Sequence, residues 1–268
     1  MRPAGLFDLH CDTLTRDQYP SRGRTPDAGT LTDPCYHLSL DKMPAGTRWV
    51  QCFAIFIPDQ LRVQDAIDFF DRYTASFYTQ MEENAARILP CRDFPDMERA
   101  VGEGKFAALL TVEGGAALAG KLERVQVLRD AGVRMLTLTW EGPNEIGSGH
   151  GSPGGLTPFG REVVPELERQ RVVIDISHLN DRGVEDLFAV AKRPFAASHS
   201  NARSVCGHRR NLPDAFIREM AARRCLIGLN YAQSFLSDDG NGGLDALYRH
   251  VCRFLELGGG LSGFGVRL

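Results

Sequence analysis

Seven short apolar runs recur along this chain, and stretches of helical periodicity separate them. The runs are Leu6–His10, Trp49–Ile57, Phe106–Val112, Met135–Trp140, Val172–Ser177, Phe195–Ser198 and Leu226–Asn230. Most are nearly continuous rather than alternating, the pattern of a strand covered on both faces. Such strands need helices on either side, so the alternation predicts βαβ units and a parallel sheet. The 268 residues suit a single domain, and a (β/α)8 barrel typically takes about 250 residues. The expected fold is therefore a (β/α)8 TIM-type barrel over residues 1–268. An eighth strand would begin near Leu261, where only a few residues remain, so most of the last β/α unit is expected to be lacking.

The helical stretches carry their own boundaries. Residues 63–89 place Ile67, Phe70, Tyr73, Phe77 and Met81 on one face. The stretch 121–131 ends at Gly132, and 244–257 ends at Gly258, both C-cap signals. Thr157 offers an N-cap with Pro158 at the first helical position, and Pro165 then falls inside that helix or kinks it. Asn180 or Asp181 can cap 182–192, and 213–224 follows Asn211. Residues 15–47 are polar and rich in Pro and Gly, an excursion between the first two strands. Residues 142–155 (GPNEIGSGHGSPGG) read as a mobile loop on the side of a barrel that holds substrate.

Charge and cysteine usage narrow the function classes. The net charge is −3 and the 31 basic residues are scattered, so no basic stripe points to nucleic acid. The seven cysteines are odd in number and form no Cys-x-x-Cys, which argues for reduced thiols and a cytoplasmic location. The N-terminus enters a strand-like run almost at once, without the apolar segment of a signal peptide. No run of 18 apolar residues exists, so no membrane span is expected.

Polar residues collect where the apolar runs end. His10 and Asp12 stand two apart, so on a strand they share a face and can reach one ion. Glu113 follows TV and precedes two glycines, at the position where barrel active sites lie. His178 closes IDISHL and His199 closes AASHS. His, Asp, Glu, His and His at four strand ends fit a two-metal hydrolytic centre, and ligands of nitrogen and oxygen suit zinc, with manganese or cobalt also accepted. Such ions lower the pKa of a water toward roughly 7 and stabilise the charge that develops at an attacked carbonyl. Arg209 and Arg210 follow the sixth run, and a guanidinium there can take a substrate carboxylate through two parallel bonds.

The strings DLHCDTL, LLTVEGG, LTLTWEGPNE, GLTPFGREVV, IDISHL and PFAASHSNARSVCGHRRNLPD resemble the renal or membrane dipeptidase family in order and spacing across nearly the whole chain. The resemblance implies a barrel with two zinc ions that hydrolyses dipeptides, some with a C-terminal D residue. It implies that His10 and Asp12 bind one ion, that His178 and His199 bind the other, and that Glu113 bridges them as a catalytic ligand. Asn144, counted with Glu113 as catalytic, matches a loop position near the substrate. Arg210 would receive the substrate's terminal carboxylate, with Trp140 and Tyr231 also at the substrate. Family members are often homodimers.

Two departures from the family pattern stand out. Trp140 occupies the place where animal members carry a His, as in a bacterial branch of the family. At the C-terminus, Gly263-Phe264-Gly265 begins a family motif, and Arg267 stands where its catalytic Asp is expected. The expectation from that ending is a truncated or frameshifted chain, weakly active or inactive, whose alternative role is that of a metal-binding pseudoenzyme. A different barrel amidohydrolase is the other alternative. Those often begin with His-x-His and use a carboxylated Lys, whereas the first motif here is His-x-Asp.

Overall fold

Apolar patterning is realised as eight strands and seven α-helices among the described residues. The structure, a computed structural model, describes residues 5–18, 31–34, 36–43 and 47–258. The chain divides into two compact units, 1–136 and 137–268.

The first unit carries β1 (Gly5–Asp8), β2 (Arg48–Phe56), α1 (Gln64–Glu83), β3 (Ile88–Cys91), α2 (Phe94–Gly102), β4 (Phe106–Glu113), α3 (Arg124–Asp130) and all but the last residue of β5, which runs Val133–Thr137. Its strands pair in parallel, with Leu6 beside Trp49 and Phe56 beside Glu113, and β3 lines the other edge of β4. Every residue of β4 is buried, as its unbroken apolar run requires. The predicted face of α1 does pack inward: Phe70, Tyr73, Phe77 and Met81 are buried, and the Phe77 ring lies 6.2 Å from that of Phe53.

Two features of this unit differ from the sequence reading. The stretch 63–89 is a helix followed by a strand, because the helical spacing stops at Met81 and Ile88-Leu89 are consecutive apolar residues. Helix α2 was not expected. It is short, and its start is set by Asp93, whose side chain accepts from the Asp96 N–H. The excursion over 15–47 is anchored where it is described. Leu31 and Leu40 are buried, and the Leu31 N–H donates to Gln80 Oε1 on α1 at 2.9 Å.

The second unit contains α4 (Pro158–Gln170), β6 (Val173–Asp175), α5 (Asp181–Val190), β7 (Ala196–Ala197), α6 (Asp214–Ala222), β8 (Leu226–Ile227) and α7, which runs Leu244–Gly258. Thr157 caps α4 by accepting from the Gly160 N–H, Pro158 opens it, and Pro165 lies inside without ending it. Strands β6, β7 and β8 pair in parallel but are much shorter than the apolar runs that contain them. For β6 and β7 the cause is Asp175, whose Oδ1 accepts from the Ser177 and Ser198 N–H groups and so replaces ladder bonds with side-chain bonds.

The loop 142–155 folds back onto the end of the strand it follows. Gly149 N donates to Gly142 O, Gly151 N to Glu141 O, and His150 N to His178 O at 2.8 Å. A Cβ on Gly149 would lie 1.9 Å from Trp140 O, so only glycine lets the loop fold this closely onto the end of its strand. The expected eighth strand near Leu261, and Arg267 with it, lie outside the described residues. No described helix is long and apolar enough to cross a membrane.

Candidate metal centre

In the first unit, the strand β1 ends at Asp8, so His10 and Asp12 stand just beyond it rather than on it. They nevertheless face one another, with His10 Nε2 at 3.2 Å from Asp12 Oδ1. The same nitrogen lies 3.5 Å from Glu113 Oε2 at the end of β4. Glu113 is buried and Asp12 half exposed. Directly after Glu113, Gly114 adopts φ +101°, and a Cβ there would approach Ile57 O at 3.0 Å. The tight turn holds the Glu113 carboxylate at the strand end, while its carbonyl accepts from the Ile57 N–H at 2.8 Å.

In the second unit, His178 follows β6 in the left-handed region, at φ 72°. Such backbone is strained for a residue with a Cβ, and strain of this kind collects at functional sites. His199 follows β7. The two Nε2 atoms face each other at 2.9 Å, with ring centroids 5.0 Å apart.

Behind His199 lies a buried polar network. Its Nδ1 meets Ser198 Oγ at 2.7 Å, and Ser198 Oγ donates to Asp175 Oδ2 at 2.5 Å. Thr137 Oγ1 donates to the same carboxylate oxygen at 2.6 Å. Burial opposes ionisation of Asp175, but the His199 ring and the bonds from Ser198 and Thr137 outweigh it and hold the carboxyl below the usual carboxylate range. Ser177 Oγ accepts from the His199 N–H at 3.1 Å and lies 3.4 Å from Ser200 Oγ.

Arg210 joins this network and is buried. Its Nη1 donates to Ser200 Oγ and its Nη2 to His199 O, both at 3.1 Å. The Trp140 ring lies 6.3 Å from that of His178. Asn144 shapes the glycine-rich loop: its Nδ2 donates to Leu138 O, and its Oδ1 accepts from Ile146 and Gly147 N–H. Tyr231 is 50% exposed.

Two histidines here were missed in the sequence. His150 sits in the loop with its ring 5.9 Å from His178 and 6.3 Å from His208. Burial, then the charges of Arg210 and Arg209, push its pKa down to about 4, so it is a neutral imidazole at pH 7. His208 accepts from the Arg210 N–H through Nδ1, and its ring centroid lies 4.5 Å from that of Phe235 at a tilt of 41°. His150 also lines a cavity of about 310 Å³ with Asn180, Arg182, Arg203 and Arg209. Neither His closes an apolar run, which is the signal that marked His178 and His199.

Both clusters carry donor atoms of kinds that divalent metals take. His10 directs one nitrogen at two carboxylates, a mixed nitrogen and oxygen set of the kind zinc accepts. In the other cluster, zinc–nitrogen bonds of about 2.0–2.1 Å at a tetrahedral angle would put two nitrogens roughly 3.3 Å apart. The 2.9 Å between the facing imidazole nitrogens is close to that spacing.

The model of the family described as membrane dipeptidase (Peptidase family M19) matches residues 1–262. An Acinetobacter calcoaceticus protein, described as an uncharacterized protein in the PQQ-III 3' region, is 26% identical over 94% of this chain and 88% of its own length. Among solved structures, dipeptidase AC, a metallopeptidase of family M19, superposes with a TM-score of 0.84 at 26% identity, covering 96% of this chain and 82% of that one. A metallopeptidase from Rhodobacter sphaeroides, liganded with a phosphinate mimic of the dipeptide L-Ala-D-Ala, gives 0.83 at 25% identity, covering 96% of this chain and 83% of that one.

Proposed function

The chain belongs to the membrane dipeptidase family, and from that premise we propose that it hydrolyses dipeptides, including ones with a C-terminal D residue, with two divalent ions, zinc foremost. The observation that carries this reading is the facing pair His178 and His199, backed by the buried Asp175 network. Imidazoles so held are ready ligands, and a rigid surround behind the ligand is what metal sites require. Support for the substrate class comes from the Rhodobacter sphaeroides relative, which holds a mimic of L-Ala-D-Ala.

In this reading His10, Asp12, Glu113, His178 and His199 would hold the ions. When bound, the ions would supply Lewis acidity and a water that ionises near neutral pH. Glu113, buried at its strand end, is the ligand proposed to serve both ions. Arg210 holds the substrate's terminal carboxylate through its planar fork of donors. Trp140 and Tyr231 flank the substrate, and Asn144 keeps the loop beside them folded. The fixed guanidinium orients the peptide, so that little entropy is lost as the reacting carbonyl is placed.

The test is hydrolysis by the full chain after chelation and re-addition of zinc, manganese or cobalt. L-Ala-D-Ala, L-Ala-L-Ala and a blocked tripeptide serve as substrates. Dipeptides should be cleaved only with metal restored, and the tripeptide not at all. Failure of every dipeptide to release free amino acid, under each metal, would sink the reading.

A further inference from the structure

His250 on α7 is fully buried, and both of its ring nitrogens meet backbone groups. The Ala202 N–H donates to Nδ1 at 3.1 Å, and Nε2 lies 3.1 Å from Leu236 O. An amide N–H can only donate and a carbonyl can only accept. Nδ1 is therefore the bare nitrogen, Nε2 carries the proton, and the ring is a neutral imidazole. Burial holds its pKa below the ordinary imidazole value; the Leu236 carbonyl opposes that shift and the charge of Arg249 adds to it.

The two backbone groups belong to different segments. Ala202 stands at the neck of the loop 199–212, where the Leu212 N–H donates to Asn201 O at 2.8 Å and the Arg203 N–H to Leu212 O at 2.9 Å. Ala202 is buried, and its carbonyl accepts from the Val205 and Cys206 N–H groups, while its own N–H turns to His250. Leu236 ends the segment 230–236, which carries Tyr231. Asn201 Nδ2 donates to Asn230 O and Phe235 O, and Asn211 Nδ2 to Phe235 O, so this segment lies against the same neck. Helix α7 is itself anchored by buried Ala246, Val251 and Phe254. It gives both segments a rigid reference. Arg210 stands two residues before Leu212, and its guanidinium reaches back across the neck to His199 O and Ser200 Oγ.

We propose that His250 is a positioning residue that staples the neck of the Arg210 loop and the Tyr231 segment to α7, and so sets where the Arg210 guanidinium stands for the substrate carboxylate. The proposal rests on the reading of Arg210 as the partner of that carboxylate. It adds a residue that touches no substrate and acts through the backbone of Ala202. A displacement at Ala202 moves the neck, and Arg210 is held from both sides of it.

Two substitutions divide the staple. His250→Asn puts an oxygen near the place of Nδ1 and keeps the bond from Ala202. His250→Gln puts an amide nitrogen near the place of Nε2 and keeps only the bond to Leu236. In His250→Gln the KM for free dipeptides should rise by roughly 3–10-fold, the scale of one buried bond. Its kcat, and the KM for dipeptide amides, should change little. His250→Asn should restore the KM for free dipeptides. A merely structural role gives another pattern, in which both variants lose denaturant stability and neither separates acids from amides; that result would overturn the proposal. Amide hydrogen exchange in the full chain gives a second reading. The Ala202 and Arg210 amides should be protected in wild type and in His250→Asn, and should exchange faster in His250→Gln. Unchanged protection at Arg210 in a folded His250→Gln would count equally against the staple. If neither variant folds, two-bond proton–nitrogen correlation in the wild-type His250 ring decides, since a proton on Nδ1 at pH 7 would rule the staple out and a proton on Nε2 would support it. A wild type that cleaves no dipeptide sinks the dipeptidase reading instead, and exchange at Arg210 still decides the role of His250.

Discussion

The two clusters proposed as metal ligands are built differently. His10 and Asp12 follow β1, a four-residue strand whose residues alternate between exposed and half-buried, and Asp12 is itself half exposed. Only Glu113, at the end of a wholly buried strand, has a rigid base. His178 and His199 rest on short strands too, but behind them Asp175, Ser177, Ser198 and Ser200 form a buried network that reaches Arg210. The difference teaches that strand length is not what orders a ligand. A satisfied buried polar network can fix a side chain where the sheet is only two or three residues long, because each unsatisfied partner would cost about 1–3 kcal/mol.

The strongest way to break this comparison is to remove one ligand from each cluster. His199→Ala should abolish dipeptide hydrolysis and reduce the bound metal from two ions to one per chain, measured by elemental analysis after gel filtration. Asp12→Ala should be milder in metal retention, since a half-exposed carboxylate is already well solvated and the buried Glu113 remains. Equal metal loss in the two variants would show that the buried network does not set affinity. If neither wild type nor variants retain metal, then two-metal hydrolysis is wrong for this chain.

The asymmetry also governs what the sequence makes legible. His10, Asp12, Glu113, His178 and His199 stand out because each follows an apolar run, and the parallel α/β organisation gives those positions meaning. The caps at Thr157 and Asn180 were readable because capping is a local matter of residue type and spacing. The network is not readable in this way. Asp175 sits inside IDIS as an isolated charge in an apolar run, and nothing local says that Ser198, 23 residues on, will donate to it. Strands β6 and β7 were overpredicted for the same reason, since a side-chain acceptor captures N–H groups that an apolar pattern assigns to the sheet. His150 and His208 lie in glycine-containing loops without periodicity, so only their folded surroundings bring them to His178 and Arg210.

Arg210 tests whether the network also serves the substrate. It is buried, and Ser200 Oγ and His199 O hold its guanidinium. Arg210→Met keeps the length of the side chain and removes every donor. Activity on free dipeptides should fall by an amount on the order of 2–4 kcal/mol in kcat/KM, while dipeptide amides, which offer no carboxylate, should lose much less. Equal losses on acids and amides would mean that Arg210 only supports the His199 turn. That outcome would sharpen the comparison by making Arg210 part of the scaffold of the second cluster.

The smallest expected effect comes from Asn180, two residues beyond His178. Its Oδ1 caps α5 by accepting from the Gly183 N–H at 2.8 Å. Its Nδ2 donates to Ser152 O and Gly154 O, both at 2.9 Å, and so ties the glycine-rich loop to the turn that carries His178. Asn180→Ala loses the cap, worth ~1 kcal/mol, and two neutral bonds of about 0.5–1.5 kcal/mol each. Asn180→Asp keeps the cap and gains from the helix dipole by about 0.3–1 kcal/mol, but it points a carboxylate at two carbonyls that then lack a donor. Denaturant midpoints should therefore rank wild type above Asn180→Asp and Asn180→Ala lowest. Zinc affinity should be the same in all three, because the ordering of His178 and His199 is assigned to the buried network and not to the loop. A fall in zinc affinity that tracks the loss of stability would reverse that assignment. The loop would then be the element that holds His178 in its left-handed backbone, and the second cluster would owe its order to the chain above it as much as to Asp175 beneath.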